Sequence, residues 1–247
     1  MASNLYAIIA GVGPGTGAAL ALKFAKKYPV VLLARRPESY LTLVEDIKKD
    51  GGEAVGISTD VASEESVKKA FEKIEGVFGK EGACAAAIFN ASGRLSRKPF
   101  LEQTIDEFSN PYDVNCRGGF LFSQAILPHL LRASQSTPPL PPSLIFTGAT
   151  ASLKASATFS SFAVGKFATR ALAQSLAREF GPKGVHVAHV IIDGVIDLES
   201  SKEYLKDSGP DAKIDPQAIA DTYWYLHTQP RSAFTFEMEV RPFIEKW

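Results

Sequence analysis

Apolar residues gather along this chain in short unbroken runs, separated by longer stretches where apolar positions recur at helical spacing. The runs at 5–10 (LYAIIA), 30–34 (VVLLA), 54–58, 85–89, 144–147, 185–192 and 234–240 have strand length. They are continuous rather than alternating, as burial on both faces of a sheet requires. Between them, 18–27, 40–49, 63–78, 111–132, 160–180 and 215–228 read as helices. Ser63-Glu64-Glu65-Ser66 supplies a cap and an acidic first turn to one of these, and Pro216 stands in the first turn of another. Strands alternating with helices predict βαβ units: an α/β, single-domain Rossmann fold over residues 1–247, a doubly wound parallel sheet of about seven strands with helices on both faces.

Two stretches break this rhythm. Residues 134–143 (SQSTPPLPPS) are proline-rich and too short to join domains, so they read as a surface loop. Residues 200–212 are charged, carry Gly209-Pro210 and follow the sixth strand, a place where α/β folds put a flap.

The 27 basic and 27 acidic residues balance, which argues against nucleic acid or an anionic membrane as main partner. No apolar run approaches the ~20 residues of a membrane span. Met1-Ala2-Ser3-Asn4 lacks the charged region of a signal peptide, so a cytoplasmic protein is expected. Cys84 and Cys116 read as buried reduced thiols. The four histidines, His129, His186, His189 and His227, show no ligand spacing, and no metal site is expected.

The sharpest chemical signal follows the first strand: Gly11-Val12-Gly13-Pro14-Gly15-Thr16-Gly17-Ala18, opening a helix. Glycines there let the backbone turn sharply and approach a pyrophosphate, while free amides at the helix start attract negative charge. Strand before and helix after make this a dinucleotide cradle, with Gly11, Gly13, Gly15, Thr16 and Gly17 as its parts. Gly15 is expected too near the pyrophosphate to bear a side chain. At the end of the second strand, where NAD sites place an acid, stand Ala34-Arg35-Arg36. Two guanidiniums there suit the 2′-phosphate of NADP(H), the cofactor this pattern implies.

These residues together resemble the short-chain dehydrogenase/reductase family over nearly the whole chain. Gly11, Gly15 and Gly17 fit its glycine motif, and Asp60-Val61 is similar to its adenine-contacting aspartate turn. Asn90-Ala91-Ser92-Gly93 is similar to its Asn-Asn-Ala-Gly turn. Asn115 matches its catalytic asparagine, and Lys166 the lysine of its Tyr-x-x-x-Lys motif. Gly194 and Ile196 complete the implied cofactor-binding set. The resemblance also implies a homodimer or homotetramer joined by the helices at Pro111 and Ser160, and a small-molecule substrate.

The chain departs from that pattern at the proton-handling positions. Phe162 stands at the tyrosine's place and Ala149 at the serine's, with Thr147 and Thr150 nearby. After the sixth strand the usual Pro-Gly is Asp193-Gly194, and Asp197-Leu198 replaces the threonine that holds the carboxamide. In the resembled enzymes tyrosine moves the alcohol proton, lysine lowers its pKa and serine holds the oxygen. Phe162 cannot do the first, a service worth about 10²–10⁴ in rate.

Three readings stay open. The chain transfers hydride to a substrate that needs no tyrosine, such as a C=N, a C=C or an activated carbonyl. Alternatively it binds the cofactor as a regulator or scaffold, or it isomerises or cyclises a substrate in the same pocket. Lys166, Asn115, Phe162, Ala149 and Thr150 are the expected reaction-site residues. Asp193 and Asp197 are candidate acids, or else a turn residue and a helix cap. The aromatic-rich end, 224–247, reads as core and subunit contact.

Overall fold

A computed structural model describes residues 5–136 and 140–246. Seven strands form one wholly parallel sheet: β1 (Leu5–Ala10), β2 (Val30–Ala34), β3 (Ala54–Ser58), β4 (Ala83–Phe89), β5 (Ser143–Thr147), β6 (His186–Ile192) and β7 (Glu237–Val240). Their order is β3-β2-β1-β4-β5-β6-β7. The chain winds outward from β1 to β3, then returns to place β4 on the other side of β1. That reversal leaves a crevice beyond the carboxyl ends of β1 and β4, where open α/β sheets bind ligands.

Successive strand residues face opposite layers. Ile9 and Leu32 join Phe24, Ile219 and Tyr223 on one face, which α1 (Thr16–Ala25) and α7 (Pro216–His227) cover. Ile8 and Leu33 join Phe71, Phe122 and Ala173 on the other, under α3 (Glu64–Phe78), α5 (Gly118–Gln135) and α6 (Ser160–Phe180). α2 (Leu41–Lys49) follows β2. The expected cap is in place, Ser63 accepting from the Ser66 N–H.

The helix expected to start at Pro111 starts earlier. α4 (Ile105–Tyr112) is opened by a capping box in which Thr104 accepts from the Glu107 N–H and Glu107 accepts from the Thr104 N–H. Pro111 lies inside it rather than at its first position. Lacking an N–H, Pro111 leaves the ladder short of a bond. The next turn, Asp113–Arg117, widens so that the Gly118 N–H reaches the Asp113 carbonyl. α5 then continues the run.

Trp224 packs against the core, as expected of the aromatic end, while Phe243 is 81% exposed. Trp247 and residues 137–139 of the proline-rich loop lie outside the described residues. Cys84 is a buried free thiol, but Cys116 is only half-buried. Among the described residues no helix is long and apolar enough to cross a membrane, and no group of His, Cys, Asp or Glu could hold a metal ion.

Candidate active site

A cleft of about 700 Å³ opens at the crevice between the ends of β1 and β4. Its walls include the residues expected for cofactor and reaction, except Asn115. The glycine turn forms its floor. A Cβ on Gly11, whose φ is +94°, would lie 2.3 Å from the Ala91 nitrogen, and one on Gly17 would lie 2.7 Å from the Gly11 carbonyl. Glycine at 11 therefore lets the β1 and β4 turns touch, and glycine at 17 lets α1 start against the turn that follows β1. Within the protein, a Cβ on Gly15 would meet the Leu198 side chain at 2.7 Å, from the loop after β6.

Thr16 begins α1, whose first N–H groups have no intrahelical acceptor. Its buried hydroxyl also lacks a partner. An unpaired hydroxyl and free amides at a helix start fit a phosphate group. At the end of β2, Arg35 and Arg36 are exposed on the cleft wall, and neither is in an ion pair among the described residues. Asp60 closes a turn by accepting from the Ala62 N–H at 3.0 Å. Ser39 and Thr59 also line this end, though nothing in their local sequence marked them.

A chain of hydroxyls and amides ties the strand ends together. Tyr223 and Thr147 hydroxyls are 2.8 Å apart, Thr147 donates to Asn90 Oδ1 at 3.0 Å, and Asn90 Nδ2 donates to the Gly11 carbonyl at 2.8 Å. Asn115 sits behind this wall. Its Oδ1 accepts from the Gly93 N–H at 2.8 Å, while its buried Nδ2 has no partner.

Lys166 is 3% exposed, and its Nζ donates to the Thr147 carbonyl at 3.0 Å. Burial pushes its amine down to about 8. The Phe162 ring lies 5.7 Å from that nitrogen. Ala149, Thr150, Phe159 and Leu95 complete this end of the cleft.

A family model described as short chain dehydrogenase matches residues 5–208. The chain belongs to the short-chain dehydrogenase family. It is 29% identical over 258 residues to an uncharacterized oxidoreductase of Listeria monocytogenes, covering 99% of this chain and 98% of that one. An uncharacterized oxidoreductase of Staphylococcus aureus is 27% identical over 241 residues, with 97% and 98% covered. A short-chain dehydrogenase from Rhodopseudomonas palustris superposes with a TM-score of 0.80 at 34% identity, over 97% of this chain and 99% of that one. An alcohol dehydrogenase from Thermococcus sibiricus, solved with 5-hydroxy-NADP, shares the fold at a TM-score of 0.82 and 21% identity, over 98% of each chain.

Members of this dehydrogenase family use a nicotinamide cofactor. Within that frame the two candidate acids part company. Asp197 is exposed and pairs with Lys213 at 3.4 Å, away from the cleft. Asp193 is buried behind the wall, where it accepts from the Thr150 hydroxyl and, at 2.8 Å, from Arg241. Arg241 and Tyr223 were missed in the sequence because their partners are distant along the chain.

Proposed function

We propose that the chain is an NADP(H)-dependent reductase acting on a small molecule whose C=N, C=C or activated carbonyl group needs no phenolic acid from the protein. The observation that carries this reading is the pair of cleft ends. Arg35 and Arg36 stand at one, without ion-pair partners among the described residues. At the other, Lys166 faces a phenyl ring where the family's tyrosine would stand.

The nicotinamide cofactor, when bound, supplies a hydride. The protein's part is to hold and orient. Thr16 and the α1 amides would meet the pyrophosphate, and the two arginines would hold the 2′-phosphate. Lys166 would hold the nicotinamide ribose, and Asn115 acts as a positioning residue through Gly93. Phe162 and Ala149 offer the substrate apolar surface without a transferable proton.

The same missing hydroxyls favour a second reading, a cofactor-binding regulator that performs no reduction. Calorimetric titration with NADPH and NADH, followed by a screen for NADPH consumption on ketones, imines and enones, separates the two. Tight NADPH binding with no turnover anywhere in the screen selects the regulator; no preference for NADPH removes the cofactor assignment.

The reading includes self-association through α5 and α6, whose outer faces expose Phe120, Val164 and Phe167. Light scattering on the purified chain gives the mass that decides it. It also places the protein in the reducing cytoplasm, with both cysteines as thiols.

A further inference from the structure

Thr150 is the residue at the reaction end of the cleft whose hydroxyl faces a buried charge. It begins a short helical turn, Thr150–Ser152, and lines the cleft beside Ala149, Phe159 and Phe162. Its Oγ–H is given to Asp193 Oδ1. Asp193 is 6% exposed, and its other oxygen accepts from Arg241 at 2.8 Å. Arg241 is in turn braced by Glu239, whose Oε1 accepts from Nε at 2.8 Å. A carboxylate gripped by a guanidinium only accepts hydrogen bonds, and a hydroxyl has one proton to give. Thr150 spends that proton on Asp193, so toward any further partner its oxygen can only accept.

This polarity is the reverse of what a ketone requires, since a carbonyl oxygen needs a donor. It suits an N–H. The Phe159 ring already carries the Arg97 guanidinium, 4.8 Å from its centroid, and Lys166 Nζ lies 5.7 Å from that of Phe162, so these rings give the cleft apolar cover. Lys166 borders this end, but its Nζ is turned to the Thr147 carbonyl.

We propose that the substrate is an N-protonated imine, its N–H donated to Thr150 Oγ. This rests on the NADPH-dependent reading above and narrows it. Hydride from the reduced nicotinamide forms the new C–H bond at the imine carbon. The C=N π pair becomes the nitrogen lone pair, the cation becomes a neutral amine, and the nicotinamide is oxidised. No proton changes hands, so the phenyl ring of Phe162 costs the reaction nothing.

The test is equilibrium binding, by ligand-observed NMR, of piperidinium and cyclohexanone, rings of similar size that differ in donating or accepting a hydrogen bond. Both are measured with and without saturating NADP⁺. The wild type should hold piperidinium about tenfold tighter than cyclohexanone, the scale of one charge-assisted hydrogen bond. Thr150→Ser should keep that ratio and Thr150→Val should bring it near one. Asp193→Asn, whose amide can donate to Thr150 and free its proton, should shift preference toward cyclohexanone. Equal affinities in the wild type, a preference for cyclohexanone, no binding of either probe, or a ratio unmoved in Thr150→Val overturns the proposal. Failure of NADP⁺ to bind strikes the cofactor reading instead, while the ratio in cofactor-free protein still judges Thr150.

Discussion

Lys166 Nζ donates to the Thr147 carbonyl at 3.0 Å and stands 5.7 Å from the centre of the Phe162 ring, one turn back along α6. The amine that would tune a phenol is thus in place beside a ring that lacks the oxygen. Phe162→Tyr should add a general acid worth about 10²–10⁴ in rate toward small activated ketones. Ala149→Ser should add a donor to the carbonyl oxygen. NADPH consumption by wild type, both single variants and the double variant measures this, and the double should exceed the product of the singles. Brisk ketone reduction by the wild type, or four equally inert proteins that all bind NADPH, counts against the placement of Phe162.

Arg35 and Arg36 lie on the cleft wall without ion-pair partners among the described residues. Charge-assisted contacts to a 2′-phosphate should give NADPH an advantage of about tenfold or more over NADH. Arg35→Ala/Arg36→Ala should erase that advantage and leave NADH affinity nearly unchanged. A double variant that still prefers NADPH in calorimetry places the 2′-phosphate elsewhere.

The glycine turn separates structural from cofactor effects. Gly11 combines φ +94° with backbone 2.3 Å from any added Cβ, so Gly11→Ala should cost at least about 1–3 kcal/mol in a urea melt, cofactor or none. Gly15→Val meets only the tip of Leu198, which can turn aside. That variant should keep its circular dichroism while losing NADPH affinity. If it binds NADPH normally, the turn is not the phosphate cradle.

Stability should fall in mild acid. His129 and His227 are buried, and loss of hydration pushes each down to about 4; His186 and His189 are lowered by burial too. An unfolded histidine titrates near 6.5, so below that pH the unfolded chain binds protons the native state refuses. The stability of the neutral form is therefore complete above about pH 6.5 and is lost as pH falls toward 4, by up to about 3 kcal/mol for each of the first two. Glu237, held below the usual range chiefly by its hydrogen bond from Arg170, adds a loss of the same sign below the ordinary carboxylate pKa. Urea midpoints at about pH 7.5 and pH 5 should differ markedly in wild type and less in His227→Gln. Equal midpoints in the wild type contradict the burial assignment.

The seven strands, most helices and the tight glycine turn were legible in the chain because their signals are local. A continuous apolar run declares a strand buried on both faces, and glycines between strand and helix declare a close backbone approach. One local signal was outweighed by another: Pro111 marked a helix start, yet the box of Thr104 and Glu107 had already capped one. Beside Gly15 the fold also sets Leu198, which no local pattern brings there.

What the cleft offers a substrate was decided only by tertiary contacts. In the chain, Thr150 is one more hydroxyl near a catalytic position, equally able to donate or accept. The fold brings it Asp193, 43 residues away, and brings Asp193 its guanidinium from Arg241, 48 residues further on. A hydroxyl's polarity belongs to the partner that takes its proton, and here that partner is set by the ends of β5, β6 and β7 lying side by side in the sheet. The same holds for Lys166, whose lowered pKa comes from burial beneath Thr147, a property of packing that no spacing of residues expresses.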